Sequence, residues 1–550
     1  AEKLSGKTSS NGIRKGCVIR CKFFSAICSL QTELKELLVD KLANSSRIRS
    51  VKKKLRRLQR LSIFHREREE SDLLGRILYE DRGTFWKKVS NSRRLNKKRA
   101  PITSSKPTHS EFMDFYCNLF SHTDRPSNSK HQEIETAVAD HYASIKDDTV
   151  ESMVSMHCIS RALDSLKPDK SPGFDTLSNE FFINANSSYL IDVLQKLFST
   201  MLSCGHVPDG LNTSLLIPIP KKNQTATPSD YRPISISTPI STIFEFVIRE
   251  RMPHLGYLSR NQFGYKKNTS CKSAFFVVNE TLQFYRSGGS NCHVVSLDAS
   301  KAFDKLWRCG LFYKLIEWTD SSTWRLLHNY YSKSFVSVVV DGVQSGIFRT
   351  REGVKQGGIL SPDLFNFFMD KLLDECMSLG VGALLGKLNT SALAYCDDFI
   401  LLSSSVCDMQ KLLSCCLSYA VDWKLAFNPN KSVSYSLGRS ACLHLGATPI
   451  PQTDGFVYLG LPIGGDSYVE QFFREKMSKC EKALYALGSI GCKPHNLHPK
   501  AIAFVYKQYC QSIIRYGLEF IYLKKGFVNQ LNVRQSILVK CVLGVKYYSR

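Results

Sequence analysis

The sequence predicts an α+β fold of several subdomains, on three observations. Short apolar stretches in the middle of the chain, such as Val294 to Asp298 and Phe399 to Leu402, have the length and composition of strands. Stretches near both ends, such as Arg47 to Arg60, space apolar residues at helical intervals among basic ones. At 550 residues the chain is too long for one ordinary core, so two to four subdomains are expected, and 43% hydrophobic residues supply the apolar material to bury them.

No apolar run approaches the roughly 20 residues of a membrane-spanning helix. The chain opens on Ala1 rather than methionine and shows no charged-then-apolar leader, so it is expected to be a segment of a longer polyprotein. Its 19 cysteines are odd in number and scattered singly, which predicts reduced thiols inside a cell rather than a disulfide framework. Cys17, Cys21 and Cys28 with His65 match no standard zinc spacing.

The net charge of +25 is unevenly placed. Residues 1–100 carry 27 Lys/Arg against 10 Asp/Glu, and residues 467–550 carry 14 against 4, leaving the middle close to neutral. Two basic ends around a neutral middle predict a polyanion gripped through its phosphates on both sides of a central site. Residues 47–60 hold eight basic side chains, Arg56, Arg57 and Arg60 among them, interleaved with Ile48, Val51, Leu55 and Leu58 and closed by Leu61. One face of that helix would pack and the other would meet phosphate. The basic theme continues through Lys87, Lys88 and the cluster Arg93, Arg94, Lys97, Lys98 and Arg99. A polar stretch from Ser121 to Lys130 then reads as a loop and a boundary.

A helical pattern from Ile159 to Leu166 runs into the turn-rich Lys170-Ser171-Pro172-Gly173-Phe174-Asp175. Leu215 to Pro220 reads as a strand whose two prolines place it at a sheet edge. Lys221-Lys222 and, after a polar loop, Tyr231-Arg232-Pro233-Ile234 put cations where a nucleotide triphosphate could be met. After the strand ending at Asp298, Ala299 to Trp307 reads as the start of a helix. Ser334 to Thr350 alternates around Asp341-Gly342, a hairpin signal. In Gln356-Gly357-Gly358 the glycines precede a helix and permit close approach of backbone to a ligand. Asp422 to Lys431 reads as a short strand and turn, Phe456 to Pro462 as a strand stopped by Gly460, and the region beyond Asp466 as helical and basic.

The most informative residues are Tyr395-Cys396-Asp397-Asp398, two adjacent carboxylates at what reads as a hairpin tip. Aspartate is an ordinary turn residue. The third carboxylate, Asp298 at a strand end, changes the weight of the pair. Phosphoryl transfer on two divalent ions needs carboxylates from separate strands converging on ions about 3.5–4 Å apart. These three could supply such a Mg²⁺ site.

Taken in order, these segments resemble the reverse transcriptases of non-long-terminal-repeat (LINE-type) retrotransposons over roughly residues 160–465. Asp298 with Lys301-Ala302-Phe303-Asp304 is similar to palm motif A, Gln356-Gly357-Gly358 with Leu360-Ser361-Pro362 to motif B, and Tyr395-Cys396-Asp397-Asp398 to motif C. Asn428-Pro429-Asn430-Lys431 resembles motif D, Tyr458-Leu459-Gly460 the primer grip, and the segments around Gly173 and Arg232 the finger motifs.

The resemblance implies a right-hand polymerase of fingers, palm and thumb that copies RNA into DNA from a primer 3′-OH, typically at a nick in target DNA. On that reading residues 1–150 are a basic, mainly helical N-terminal extension, 151–465 the fingers and palm, and 466–550 a basic helical thumb. Two Mg²⁺ ions, or Mn²⁺ in their place, would be held by Asp298, Asp397 and Asp398 with the Ala299 carbonyl. Lys222 and Arg232 would meet the triphosphate, Gln356 the nucleotide, and Phe303 would lie under the sugar as a gate against a 2′-OH. Gly357 and Gly358 would leave room for template, Tyr458, Leu459 and Gly460 would hold the primer, and Lys431 would protonate pyrophosphate. RNA template, DNA primer and dNTPs are the implied partners, in the nucleus and in cytoplasmic ribonucleoprotein.

The sequence departs from the family's usual pattern in two places. Cys396 stands where alanine is frequent, and Gly358-Ile359 where many members have Cys-Pro; neither removes a catalytic group. The rival readings are an RNA-dependent RNA polymerase, disfavoured by the bulky Phe303, a group II intron maturase-like enzyme, and a domesticated RNA-binding protein without catalysis, disfavoured by the intact aspartates. No nuclease module is legible in residues 1–150.

Overall fold

The computed structural model describes residues 23–38, 45–87, 106–121, 127–145, 153–221, 226–256, 258–488 and 499–545. Lys222, Cys17, Cys21 and the cluster from Arg93 to Arg99 lie outside them. The chain forms two compact units, Pro101–Val469 and the combination of Ala1–Ala100 with Glu470–Arg550.

The fold mixes helix and sheet. The strands are β1 (Thr213–Pro220), β2 (Tyr231–Ile236), β3 (Cys292–Asp298), β4 (Phe335–Val340), β5 (Val343–Arg349), β6 (Leu384–Leu385) and β7 (Leu388–Asn389), then β8 (Ala392–Tyr395), β9 (Asp398–Ser403), β10 (Val433–Leu437), β11 (His444–Leu445), β12 (Thr448–Pro449), β13 (Gly455–Tyr458) and β14 (Leu461–Gly464). Two four-stranded sheets organise the Pro101–Val469 unit, in the orders β2-β1-β4-β5 and β10-β3-β9-β8.

In the second sheet every pairing is antiparallel. Its central strands are buried on both faces, as their continuous apolar runs require. Val295, Leu297 and Leu401 share one core with Phe365, Phe368 and Leu372 of the helix Ser361–Ser378 and with Leu412 and Cys416 of the helix Val406–Asp422. Local chemistry fixes where these helices begin. The Ser405 side chain accepts from the Asp408 N–H to start Val406–Asp422, and Ser187 does the same for Ser188–Cys204, which Gly205 ends in the left-handed conformation.

The first sheet has a smaller core of its own. Leu216, Tyr231, Val336 and Val338 pack with Phe112, Tyr116 and Phe120 of the helix His109–Phe120. That helix opens with a capping box between Thr108 and Glu111. It and Ser129–Ser144, both inside the stretch read from sequence as an extension, thus belong to the Pro101–Val469 unit.

Three sequence expectations change. β1 lies between β2 and β4 rather than at an edge. β4 pairs only with Thr213 to Leu216, however, so Pro218 and Pro220 face a single neighbour, β2, and their missing donors are harmless there. Ala299 to Trp307 is a run of turns, and the helix starts at Arg308. The cause is tertiary: Ser300 N–H donates to the Ala426 carbonyl, and Lys301 takes a φ of 51°. Residues 422–431 hold a single bridge, Ala299 to Phe427, rather than a strand. The Asp341-Gly342 turn does form a two-residue hairpin, with both residues at positive φ.

In the other unit, the helix Ser45–Glu80 buries Ile48, Val51 and Leu55 and exposes Arg56, Arg57 and Arg60; Leu58 is half-buried and Leu61 exposed. Arg534 forks onto Glu481 with contacts of 2.5 and 2.8 Å between the helices Lys525–Leu543 and Asp466–Leu487. The described cysteines are free. Among the described residues no helix is long and apolar enough to cross a membrane.

Arg308 staples the two sheets' connecting segments. Its Nε donates to the Gly353 carbonyl, Nη1 to the Tyr331 and Thr350 carbonyls, and Nη2 to Thr350 Oγ1, all at 2.7 to 2.9 Å. Arg308→Met is expected to strand these acceptors and destabilise the unit by about 3 kcal/mol, lowering its urea midpoint. A wild-type midpoint would mean that water replaces the guanidinium without loss.

Candidate active site

β3 and β9 run side by side with Asp298 directly opposite Asp398. Tyr395 and Asp398 close the β8–β9 hairpin, whose two-residue tip is Cys396-Asp397. Cys396 is buried at a φ of 59°, a conformation that a side chain with a Cβ adopts only when its surroundings impose it. The surroundings are visible. Gln262, fully buried, accepts from the N–H of Cys396 at 3.0 Å and from the N–H of Gly264 at 2.8 Å. A Cβ on Gly264 would lie 2.5 Å from the Cys396 nitrogen, so only glycine lets this loop close on the turn.

The carboxylates crowd one another. The Asp398 carboxyl is pushed up to about 6, first by poor solvation in the cleft and then by the charges of Asp397 and Asp298. Asp397 is raised by desolvation and then by the charge of Asp298, and the Arg232 guanidinium on β2 opposes both shifts. Lys431 Nζ stands 4.0 Å from Asp298 Oδ2, and both side chains reach solvent. Tyr458, at the end of β13, is close enough for Asp398 to raise its buried hydroxyl further, after desolvation. Leu459 and Gly460 form the positive-φ tip of the β13–β14 hairpin.

Ala299 bridges Phe427 as a non-hydrogen-bonded pair, flanked by the bonds from Ser300 to Ala426 and from Asn428 to Asp298. Its own carbonyl therefore points away from that bridge. Three carboxylates and a backbone carbonyl are the hard-oxygen chemistry of Mg²⁺ and Mn²⁺. Among the described residues, though, no three His, Cys, Asp or Glu side chains already converge as a ligand cluster.

The Gln356-Gly357-Gly358 loop is tied to β2, the strand that carries Arg232. The Gln356 carbonyl accepts from Ser235 on β2 at 2.8 Å, and its side-chain nitrogen donates to Asp304 at 2.7 Å. A Cβ on Gly357 would meet the Ser235 carbonyl at 2.8 Å, and one on Gly358 the Ser361 Oγ at 2.9 Å. On the side where a Cβ would stand, both glycines are therefore in close contact with protein atoms. Phe303 is half-buried and stacked on Phe365, with ring centroids 4.5 Å apart. Arg56, Arg57 and Arg60 belong to the other compact unit.

Sequence reasoning passed over Gln262, Gly264 and Asp304 as functional residues. A Gln-x-Gly in a polar loop carries no local signal, while the position of Asp304 within the quoted motif was the clue available for it. Asp304 is buried, and its carboxyl rises to about 7 through desolvation, opposed by the Gln356 hydrogen bond and by Lys301, Lys221 and Lys305. With a folded value above the ordinary one of about 3.9, the protonated form stabilises the fold; this contribution is present below about pH 4 and is lost as pH rises through about 7. Asp304→Asn, which keeps the acceptor for Gln356, is expected to remove up to about 4 kcal/mol of that pH-dependent loss. Denaturant titrations between pH 4 and 8 with the same slope in both proteins would refute it.

Residues 219–463 match the model of the reverse transcriptase (RNA-dependent DNA polymerase) family. Among curated proteins, the chain is 27% identical to the Retrovirus-related Pol polyprotein from the type-2 retrotransposable element R2DM of Drosophila melanogaster, over 49% of this chain and 27% of that protein. It is 24% identical to the RNA-directed DNA polymerase from mobile element jockey of Drosophila funebris, over 72% of this chain and 44% of that one. A third relative, from a type-1 retrotransposable element R2 of Popillia japonica, is 29% identical over 46% of this chain and 35% of its own length. The chain spans less than half the length of each of these relatives. The facing aspartates lie inside the stretch that matches the reverse transcriptase family, and the curated relatives that the chain resembles there belong to retrotransposable and mobile elements.

Proposed function

We propose that this chain is an RNA-directed DNA polymerase that extends a primer 3′-OH along an RNA template, in target-primed reverse transcription. The observation that carries the reading is the register of β3 on β9, which sets Asp298 against Asp398 with Asp397 at the adjoining tip. Like charges directly opposite on neighbouring strands are unfavourable, so a structure built around three of them is organised for cation binding.

Asp298, Asp397 and Asp398, with the Ala299 carbonyl, would hold two Mg²⁺ ions, for which Mn²⁺ can substitute. When bound, the ions lower the pKa of the primer hydroxyl and neutralise charge on the leaving pyrophosphate. The chain's own residues position the reactants. Arg232 lies close enough to shift both hairpin aspartates and is exposed, as a group that receives triphosphate must be, with Lys222 its companion in that role. Phe303, braced by Phe365, forms a wall under the sugar that excludes a 2′-OH. Gln356, oriented by Asp304, meets the nucleotide. Lys431 near Asp298 protonates pyrophosphate, and the Tyr458-Leu459-Gly460 turn holds the primer end.

In this reading the β2-β1-β4-β5 sheet belongs to the fingers and the β10-β3-β9-β8 sheet to the palm, with residues 466–550 as thumb and 1–150 as a basic extension whose last two helices pack into the unit of the two sheets. The enzyme acts in the nucleus and in cytoplasmic ribonucleoprotein.

Primer extension on an RNA template with Mg²⁺ and dNTPs tests the reading. Wild type is expected to make DNA, and Asp397→Ala to lose at least about a thousandfold in rate. Incorporation of rNTPs would move the assignment to an RNA polymerase, and no extension by folded wild type would leave a binding protein. Separately, neutralising Arg56, Arg57 and Arg60 to Gln is expected to weaken template binding and reduce the slope of log affinity against log salt by about 2 for single-stranded RNA. An unchanged slope would remove that helix from the interface.

A further inference from the structure

We propose that Glu245 is a positioning residue for the incoming nucleotide, acting by tying both ends of the Gln356–Gly358 loop to one buried carboxylate. The inference rests on the polymerase reading, in which that loop meets the nucleotide.

Glu245 lies in the helix Pro239–Arg251, only 2% exposed. Its Oε2 accepts from the backbone N–H of Ile359 at 2.8 Å and of Leu360 at 3.3 Å, just after the loop. Its Oε1 accepts from the Tyr330 hydroxyl at 2.7 Å. Lys355, immediately before the loop and 7% exposed, donates to that hydroxyl at 2.9 Å and stands 3.6 Å from the same Oε1. Ser241, one turn before Glu245, completes the set at 2.7 Å from Tyr330 Oη.

The loop is therefore held from below at both ends by one side chain. The helix Ser361–Ser378 has no side-chain cap of its own at Leu360; Glu245 instead holds the N–H groups of Leu360 and of Ile359 before it, with its negative charge near the positive end of the helix dipole. Gly358 sits directly on it: a Cβ there would come within 3.0 Å of Oε2. From above, Ser235 holds the Gln356 carbonyl, three residues along β2 from Arg232. Moving Glu245 would thus shift Gln356 relative to Arg232, the two groups assigned to opposite parts of one nucleotide.

A buried ion pair of this kind is a weak source of stability, since an apolar replacement of similar volume is often neutral or better. Fixing one geometry of a reactive loop is the role its bonding suits. Such a role affects nucleotide affinity before it affects stability.

The test is steady-state primer extension by the full chain with Glu245→Ala and Glu245→Gln, alongside wild type and Asp397→Ala. For Glu245→Ala the KM for dNTP is expected to rise at least about tenfold, with primer–template affinity unchanged. Glu245→Gln keeps an oxygen for Ile359 and Leu360 and should recover most of that loss. If the alanine variant fails to fold, Tyr330→Phe is the readout: it removes the hydroxyl that links Lys355 to Oε1, its KM for dNTP is expected to rise, and a wild-type KM there would overturn the assignment. A wild-type KM in both variants, or a fall in kcat alone that tracks lost folded protein, would overturn the assignment while leaving the polymerase reading intact. Absence of any product that Asp397→Ala abolishes would overturn the reading and the inference together.

Discussion

The pairing of β3 with β9 is the constraint on which the rest of the active unit depends. It places two carboxylates side by side at the ends of adjacent strands, and a third one residue away, where electrostatics alone would separate them. The pairing holds because both strands are buried in the same core, and a slip of one residue would turn Val295, Leu297 and Leu401 out of it. Hydrophobic packing thus sustains an arrangement of charge that is unfavourable until a cation joins it. The Asp398 carboxyl is pushed up to about 6, first by desolvation and then by these neighbouring charges.

Around this pair the other segments act as braces. Gln262 and Gly264 hold the hairpin tip in its left-handed turn, and the Ala299–Phe427 bridge bends the chain after Asp298 away from the helix its sequence suggests. Arg308 fixes Gly353 and Thr350, so that the segment carrying Gln356 leaves β5 in one direction. Glu245 and Ser235 then hold that loop from two sides. Each brace is a backbone hydrogen bond to a buried polar side chain or to a neighbouring strand. Such bonds are costly to leave unmade, which is what makes the geometry single-valued.

Much of the site was legible before any fold was in hand. Asp298, Asp397 and Asp398 stood out because carboxylates beside apolar strand residues need an explanation, and Asp341-Gly342 because such a pair has one preferred turn. The glycines of the Gln356-Gly357-Gly358 loop were legible as sites of close approach, but the protein atoms that approach them were not. Ser235 and Glu245 stand close to where a Cβ would be, and neither contact leaves a trace in local sequence. The prolines of β1 were read correctly as lacking donors, yet the strand is central, because its two halves have different neighbours.

By itself the sequence determined the order of elements, the hairpins, the basic ends and the family resemblance, because periodicity, turn chemistry and motif spacing are properties of residues near one another in the chain. The tertiary structure decided which residues face each other: Asp298 against Asp398, Gln262 against Cys396, Glu245 against Ile359 and Lys355. Those juxtapositions depend on strand register and helix packing between distant segments, and the burial of a shared core selects them.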